Sequence, residues 1–365
     1  MRDVAVLVFV VGTRAQLIKV APVIVECESR ACDVKLLMTG QHKETMDDLV
    51  AEFGIRVSPD FAMSSAERDS VWGLMAWLPG AFLGVRRFLH GWKKRGSSLF
   101  VLVHGDTLST LVGAAAARSV GARIVHLESG LTSGKMLDPF PEEICRRLVF
   151  RMTDMAMCPS ESAMLHMARY RNVECIDTRG NTILDAVRCA LNSSPMPEAA
   201  SYAVVSLHRF QNLYDASRLT ALVETVLSAA EVMEVHFVLH PATRKRLSQL
   251  SLMQRLEQAP NVMLHPRMGY TAFLSLAAAS DCVLTDGGSN QEELAALGVP
   301  TIIMRHRTER ADGLGANAIM EADVREGVAA FVRGGKHRAL RRERMPLGAD
   351  GPSKRIVDSV LARAP

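Results

Sequence analysis

The sequence has few aromatic residues and little net charge. Aromatic residues make up 5% of the 365 residues, and the formal net charge is +4. Binding of nucleic acid by base stacking therefore has little support. Basic clusters at residues 86–95 and 333–344 occur without a nucleic-acid motif, so we interpret them as solvated surface and expect no nucleic-acid partner.

Paired cysteines and long apolar runs are also lacking. The seven cysteines are odd in number, scattered and without a CxxC pair, which argues against a disulfide framework or a zinc site. We expect reduced, mostly buried thiols. The apolar run at residues 4–11 is too short to cross a bilayer and precedes no signal cleavage pattern. We therefore expect a cytoplasmic protein with no membrane partner.

Two ligand-binding motifs are missing as well. The chain has neither a GxGxxG fingerprint nor a Walker loop, and no Cys or His cluster has metal-ligand spacing. We expect neither a nicotinamide cofactor nor a metal.

Short apolar runs alternate with helix-period segments along the whole chain, which is typical of parallel sheets with crossover helices. The length exceeds what one hydrophobic core usually organises. The runs predict two series of strands, at residues 4–11, 34–38, 99–103, 122–127, 155–158 and 173–176, then 203–207, 235–239, 262–264, 282–285 and 301–304. We predict two Rossmann-like, doubly wound α/β domains, at residues 1–180 and 181–352, with a breaker-rich join near residues 193–197 and a final helix at about 353–365.

Charged residues follow several predicted strands of the first half, where such folds bind ligands. Gly12 begins a helix beside Arg14 and Lys19, which suits a phosphate, although a plain turn with two surface cations fits equally well. Asp106 and Glu128 follow the third and fourth strands. The acid pair of residues 142–143 opens a helix, and a dipole or cap role is favoured for the second acid more than for the first.

The second half has similar strand-end motifs. His208 and His240 each follow a strand, although a lone histidine there is more often structural. The segment TDGGSNQEE at Thr285 joins a strand to a helix through two glycines, which exposes backbone N–H groups. Glu292 or Glu293 could accept hydrogen bonds from ribose hydroxyls.

Taken in order, these motifs resemble the UDP-N-acetylglucosamine 2-epimerase family of the bacterial, non-hydrolysing type. The resemblance rests on ten collinear segments: GTRAQLIKVAPVI, TGQHKETMDD, VHGDT, HLESGL, PEEICR, GNTILDA, LHR, TDGGSNQEE, TER and PSKRIVD. It implies the GT-B architecture, with the active site in the cleft between the domains and the C-terminal helix returning to the first domain. It also implies a UDP-sugar substrate. We further expect no cofactor and a homodimer as the assembly.

The family's reaction interconverts UDP-N-acetylglucosamine and UDP-N-acetylmannosamine by eliminating UDP and adding it back to the other face. By resemblance, the catalytic positions are Asp106, Glu128, Glu142 and His208. The resemblance assigns binding of the substrate to Arg14, Lys19, Phe273, Gly288, Ser289, Glu293 and Arg310, with Phe273 beside the uracil. Which acid removes the carbon 2 proton stays open. Gln41, His42 and His240 fall in motifs that could serve a second, activating substrate site.

The sequence departs from the family pattern at several positions. Ala15 and Gln16 replace the usual Pro-Glu, Thr132 replaces an arginine, and His306 replaces an aspartate. In the glycine loop, Gly287, Ser289 and Asn290 replace Ser, Gly and Ile. These changes leave two alternatives open, a hydrolysing 2-epimerase and a GT-B glycosyltransferase. A sugar-nucleotide-binding protein without turnover is disfavoured by retention of the four catalytic positions.

Overall fold

The structure is a computed structural model that describes residues 5–40, 46–63, 71–136, 140–193, 201–305, 307–308, 310–348 and 350–364. The chain divides into two compact units, Met1–Cys189 with Leu347–Pro365, and Ala190–Pro346. Within these ranges, no helix is long and apolar enough to cross a membrane.

The elements follow one another along the chain as alternating strands and helices. The first half contains β1 (Ala5–Val11), α1 (Arg14–Ser29), β2 (Asp33–Met38), α2 (Asp47–Glu52), β3 (Pro59–Phe61), α3 (Val71–Lys94), β4 (Ser98–His104), α4 (Leu108–Ser119), β5 (Arg123–Leu127), α5 (Glu142–Met152), β6 (Met155–Cys158), α6 (Glu161–Met167), β7 (Glu174–Asp177) and α7 (Ile183–Ser193). The second half contains β8 (Tyr202–Ser206), α8 (Phe210–Tyr214), α9 (Ala216–Ala230), β9 (Glu234–Val238), α10 (Pro241–Gln249), α11 (Leu252–Glu257), β10 (Val262–His265), α12 (Tyr270–Ala279), β11 (Cys282–Thr285), α13 (Gly288–Leu297), β12 (Thr301–Ile303), β13 (Ala318–Met320), α14 (Val328–Arg333) and α15 (Pro352–Leu361).

The first unit contains a parallel sheet with the strand order β3-β2-β1-β4-β5-β6-β7. The inner strand β1 pairs with β2 on one side and β4 on the other. Its residues from Val6 to Val11 are buried, because crossover helices cover both faces of a parallel sheet. This burial explains why the strands appear in the sequence as continuous apolar runs.

The second unit repeats this arrangement with the order β10-β9-β8-β11-β12-β13. Its core includes Phe237 of β9 with Leu247 and Leu256 of the following helices. In both sheets the order in which strands are added therefore reverses beside the first strand, between β1 and β4 and between β8 and β11. Ligands of doubly wound folds bind at the carboxyl ends of the strands at such a reversal.

The C-terminal segment belongs to the first unit, through contacts with α7 and α1. The buried Asp185 carboxylate accepts a hydrogen bond from the Ser353 backbone N–H at 2.7 Å. Arg30 at the end of α1 forms an ion pair with Asp358 of α15. Asp185 thus holds α7 to this segment. The unit boundary follows Cys189, between the predicted domain boundary at residues 180 and 181 and the predicted breaker-rich join near residues 193–197.

Candidate active site

Gln16 joins the loops that follow β1 and β4. Its buried Oε1 accepts hydrogen bonds from the Gly12 N–H at 2.9 Å and the Thr13 N–H at 3.2 Å. Its Nε2 donates to the His104 carbonyl oxygen at 2.7 Å. A glutamate, usual here in the family pattern, could not donate to that carbonyl. The change to glutamine thus suits this loop packing.

Glu128 forms a buried ion pair at the end of β5. Lys19 Nζ donates to Glu128 Oε2 at 2.8 Å, and the two side chains are only 4% and 8% exposed. His104 Nε2 lies 3.0 Å from the same oxygen. Glu128 has φ of 58°, a left-handed conformation that is costly for a residue with a Cβ atom. Such backbone strain clusters at functional sites, which supports a functional role for Glu128.

The buried His126 ring connects the loops after β4 and β5. Its Nε2 lies 2.8 Å from the Gly105 carbonyl oxygen, and its Nδ1 lies 2.9 Å from Ser129 Oγ. Because the carbonyl can only accept, Nε2 carries the proton and Nδ1 accepts from the hydroxyl. Burial lowers the pKa of His126 to about 4, against the opposing effect of the Gly105 carbonyl. The ring is therefore neutral near pH 7.

Arg146 of α5 holds the Asp106 carboxylate. One guanidinium nitrogen forms an ion pair with Asp106 Oδ2, and the other donates to Glu143 Oε2 at 2.6 Å. The Glu143 side chain is fully buried and also accepts from the Thr132 hydroxyl at 2.6 Å and from Arg147 Nε at 3.0 Å. Glu143 is therefore an anchor for Arg146 rather than a helix cap.

Hydrogen bonding decides the ionisation of Glu143. Burial favours the neutral acid, but donation from Thr132, Arg147, the Ser133 N–H and Arg146 outweighs it and lowers the pKa of Glu143. Glu143 is therefore charged at neutral pH and keeps Arg146 in place.

Glu142, the first residue of α5, lies near the same loops. Burial raises the pKa of the Cys145 thiol to about 11, and the charges of Asp106 and Glu142 add to this effect. Both carboxylates thus lie near one thiol. Glu142 Oε2 is buried without a hydrogen-bond partner among the residues that the structure describes.

Arg14 points to α2. Its guanidinium makes a two-pronged contact with Asp48, at 2.5 and 2.8 Å. Arg14 is therefore paired within the first unit, and its predicted contact with the nucleotide stays a prediction.

In the second unit, Asp286 organises the ends of β8 and β11. Its buried carboxylate accepts from the backbone N–H groups of His208 at 2.9 Å and Arg209 at 3.0 Å. It also accepts from Asn212 Nδ2 at 2.8 Å. Asp286 thus fixes the backbone that carries the His208 side chain.

The His208 ring lies between Asp286 and His240. Its Nδ1 is 3.4 Å from Asp286 Oδ1, and its ring centroid is 4.6 Å from that of His240. Burial lowers the pKa of His208, while the Asp286 charge acts in the opposite direction. His208 is therefore mostly neutral at pH 7, and a bound anion would favour its charged form.

Two arginines approach the N-terminus of α13. A Cβ atom at Gly288 would lie 3.1 Å from Arg310 Nε and 3.4 Å from Arg209 Nη2. Arg310 also forms an ion pair with Glu292. Gln291 positions this arginine, since its Nε2 donates to the Arg310 carbonyl oxygen at 3.1 Å. A ten-residue helix start with two guanidinium groups is suited to an anion.

The comparison with protein families decides the assignment. A family model described as UDP-N-acetylglucosamine 2-epimerase matches residues 25–361. The chain belongs to the UDP-N-acetylglucosamine 2-epimerase family.

Individual members of this family are similar to the chain in sequence and in fold. The chain is 30% identical to the UDP-N-acetylglucosamine 2-epimerase of Methanocaldococcus jannaschii, over 88% of this chain and 90% of that protein. It is 29% identical to the enzyme of the same name from Methanococcus maripaludis, over 96% and 97%. A crystal structure of the Methanocaldococcus jannaschii enzyme with UDP-GlcNAc and UDP matches with a TM-score of 0.77 and 25% identity, covering 98% of this chain and 99% of that one. The predicted α/β fold class is confirmed.

The remaining predicted site residues of this epimerase-family chain lie in the second unit. Ser289 is half-buried and Glu293 is buried, both on α13, and Phe273 is half-buried on α12. Gln41 and His42, which the sequence connected with a second substrate site, lie outside the described residues, as do His306 and the glutamate of the TER motif.

Several residues of the site were not identified from the sequence. They are Gln16, His104, His126, Arg146 and Asp286, which contact the predicted catalytic residues or the loops that carry them. Most lie inside the quoted motifs, which was the available signal, but their contacts are with distant segments. Among the described residues, no three His, Cys, Asp or Glu side chains are grouped to hold a metal ion.

Proposed function

We propose that the chain inverts carbon 2 of a UDP-N-acetylhexosamine, converting UDP-N-acetylglucosamine to UDP-N-acetylmannosamine. UDP leaves as the proton on carbon 2 is removed, and it then adds back to the glycal intermediate with protonation on the opposite face. Membership of the epimerase family supports the reaction class. That UDP is added back to the sugar after elimination, and is not released, is part of the proposal.

The observation that carries the proposal is the group of ionisable side chains at the strand ends of the first unit. Glu128 is bound to Lys19, and Asp106 is bound to Arg146. The reaction needs a base and an acid on opposite faces of the sugar, and a site of this kind offers several proton carriers. A glycosyltransferase would not need as many acids near carbon 2.

We assign removal of the carbon 2 proton to Glu142. Its Oε2 has no donor among the described residues, so it can accept a proton without first breaking a contact. Asp106 and Glu128 both bind cations, and we assign them to orienting the sugar and to moving the second proton. The three carboxylates thus have different tasks because their neighbours differ.

We assign nucleotide binding to the N-terminus of α13. Arg310 lies beside Gly288 and can bind the diphosphate, together with the hydroxyl of Ser289. Glu293 is the proposed ribose acceptor and Phe273 the proposed uracil contact. His208, next to Asp286, becomes protonated when the diphosphate binds and stabilises the departing UDP. Arg14 and Lys19 would add further positive charge if substrate releases them from Asp48 and Glu128.

The test is proton NMR of UDP-N-acetylglucosamine incubated with the protein in deuterated water. We expect deuterium at carbon 2 in recovered substrate and product, and loss of exchange in Glu142→Gln. The matched control is Glu161→Gln, because Glu161 is exposed in the first turn of α6, and it should exchange normally. Sugar transfer or binding without exchange would contradict the proposal.

A further inference from the structure

Helix α1 ends in a left-handed turn that returns the chain onto the helix. Ala31 has φ of 55°, and its N–H donates to the Glu28 carbonyl oxygen at 3.2 Å. The Cys32 N–H donates to the Cys27 carbonyl oxygen at 3.1 Å. These two hydrogen bonds define a Schellman motif, a common way for a helix to end.

This motif brings the side chains of its first and last residues together. Here both residues are cysteines, and their thiols lie close enough to affect each other's ionisation. Cys27, a residue of α1, is fully buried, whereas Cys32 is partly exposed. A backbone hydrogen bond between two residues keeps their Cα atoms within the roughly 4.4–6.8 Å that a disulfide spans. The turn therefore holds the two residues at a separation that a disulfide can span.

The two thiols differ in acidity because their surroundings differ. The interaction with the Cys27 thiol lowers the pKa of Cys32 to about 7, and the nearby Arg30 charge and a backbone N–H contribute in the same direction. The same interaction, with burial, raises the pKa of Cys27. Cys32 is thus the accessible thiolate, and Cys27 is the protonated partner behind it.

A second pair of cysteines in the chain provides a comparison. Cys158 of β6 and Cys175 of β7 also contact each other. Burial raises the pKa of Cys158 to about 12 and also raises that of Cys175. Contact between two thiols is therefore not enough to lower the pKa of either one. The Arg30 charge and the turn after α1 distinguish the first pair.

We propose that Cys27 and Cys32 form a redox pair that a peroxide oxidises to an intramolecular disulfide across the turn after α1. The Cys32 thiolate attacks one oxygen of hydrogen peroxide, which forms a sulfenic acid and releases hydroxide. Cys27 sulfur then attacks Cys32 sulfur, its proton leaves with the hydroxyl group as water, and the S–S bond forms. Two electrons pass from the two sulfurs to the peroxide. The pair does not depend on the proposed epimerase activity.

The experiment is peptide mapping of the full chain after brief treatment with hydrogen peroxide. Free thiols are blocked with N-ethylmaleimide, and the protein is digested with trypsin without reductant. Cleavage after Arg30 separates the two cysteines, so a disulfide joins the peptides of residues 20–30 and 31–35. We expect this linked pair to appear with peroxide and to disappear with dithiothreitol.

Variants identify the role of each thiol. Cys32→Ser should abolish the link, and Cys27→Ser should leave a sulfenic acid at Cys32 that dimedone traps. Cys175→Ser, which changes the comparison pair, should leave the link unchanged. Conversion of Cys32 to sulfinic acid without a linked peptide would overturn the proposal, as would a link that involves Cys158 or Cys175 instead. The wild-type map remains decisive even if a serine at buried Cys27 prevents folding.

Discussion

The buried His126 should make the stability of the protein depend on pH in a way that one substitution removes. Unfolded His126 has the ordinary pKa of about 6.5, whereas burial holds the folded pKa at about 4. Above pH 6.5 neither state binds the proton. As pH falls from 6.5 towards 4, the unfolded state gains a proton that the folded state resists, so stability is lost.

The size of this loss follows from the two pKa values. Complete protonation of the unfolded state alone corresponds to on the order of 3 kcal/mol, and about 2 kcal/mol of this should be lost at pH 5. His126→Gln keeps an amide that can donate to the Gly105 carbonyl but has no charged form. The free energy of unfolding of this variant should therefore fall by about 2 kcal/mol less than that of the wild type between pH 7.5 and 5.

Urea unfolding at pH 7.5 and at pH 5 measures how much the free energy of unfolding of each protein changes between the two pH values. The change of stability with pH is compared, because the substitution also has a cost of its own at pH 7.5. His166→Gln is the control, since His166 also contacts a loop carbonyl, that of Gly130, but is only partly buried. The reasoning is refuted if the wild type and His126→Gln lose equal stability on acidification.

Further predictions concern catalysis and binding. Asp106→Asn and Glu128→Gln should each lower kcat about 100-fold or more, with UDP affinity by calorimetry largely kept; wild-type turnover would contradict the assignment. Arg146→Lys should lower kcat and leave UDP affinity unchanged, because lysine cannot hold Asp106 and Glu143 together; unchanged kinetics would count against positioning. Arg310→Ala and Arg14→Ala should each weaken UDP binding, and an unaltered dissociation constant would remove that residue from the proposed site. Activity should survive dialysis against a chelator, and its loss and recovery with a divalent ion would reveal a metal requirement.

The fold was largely predictable because parallel strands are buried on both faces and appear as apolar runs. The run at residues 155–158 coincides with β6, and the run at 282–285 coincides with β11. The strands β3 and β13 were not predicted. Each has three residues and lies at the edge of its sheet, so neither has the apolar length that identifies a strand.

The positions of the candidate site residues were predictable for a related reason, since polar residues that follow parallel strands gather at one edge. The side chains that these residues contact were not predictable. Arg146 pairs with Asp106 across 40 positions, and the sequence contains no measure of that distance. Arg14 pairs with Asp48, although its place at a helix start suggested a phosphate. The Cys27–Cys32 contact depends on the φ angle of Ala31, which spacing alone does not reveal.

The most direct test of the central proposal follows the products to long times. UDP-N-acetylglucosamine is incubated with the protein, and phosphorus and proton NMR record every phosphorylated and free sugar until the signals stop changing. Elimination with re-addition predicts a stable mixture of two UDP-sugars with no accumulation of free UDP. Release of UDP with an equal amount of free N-acetylmannosamine would contradict it.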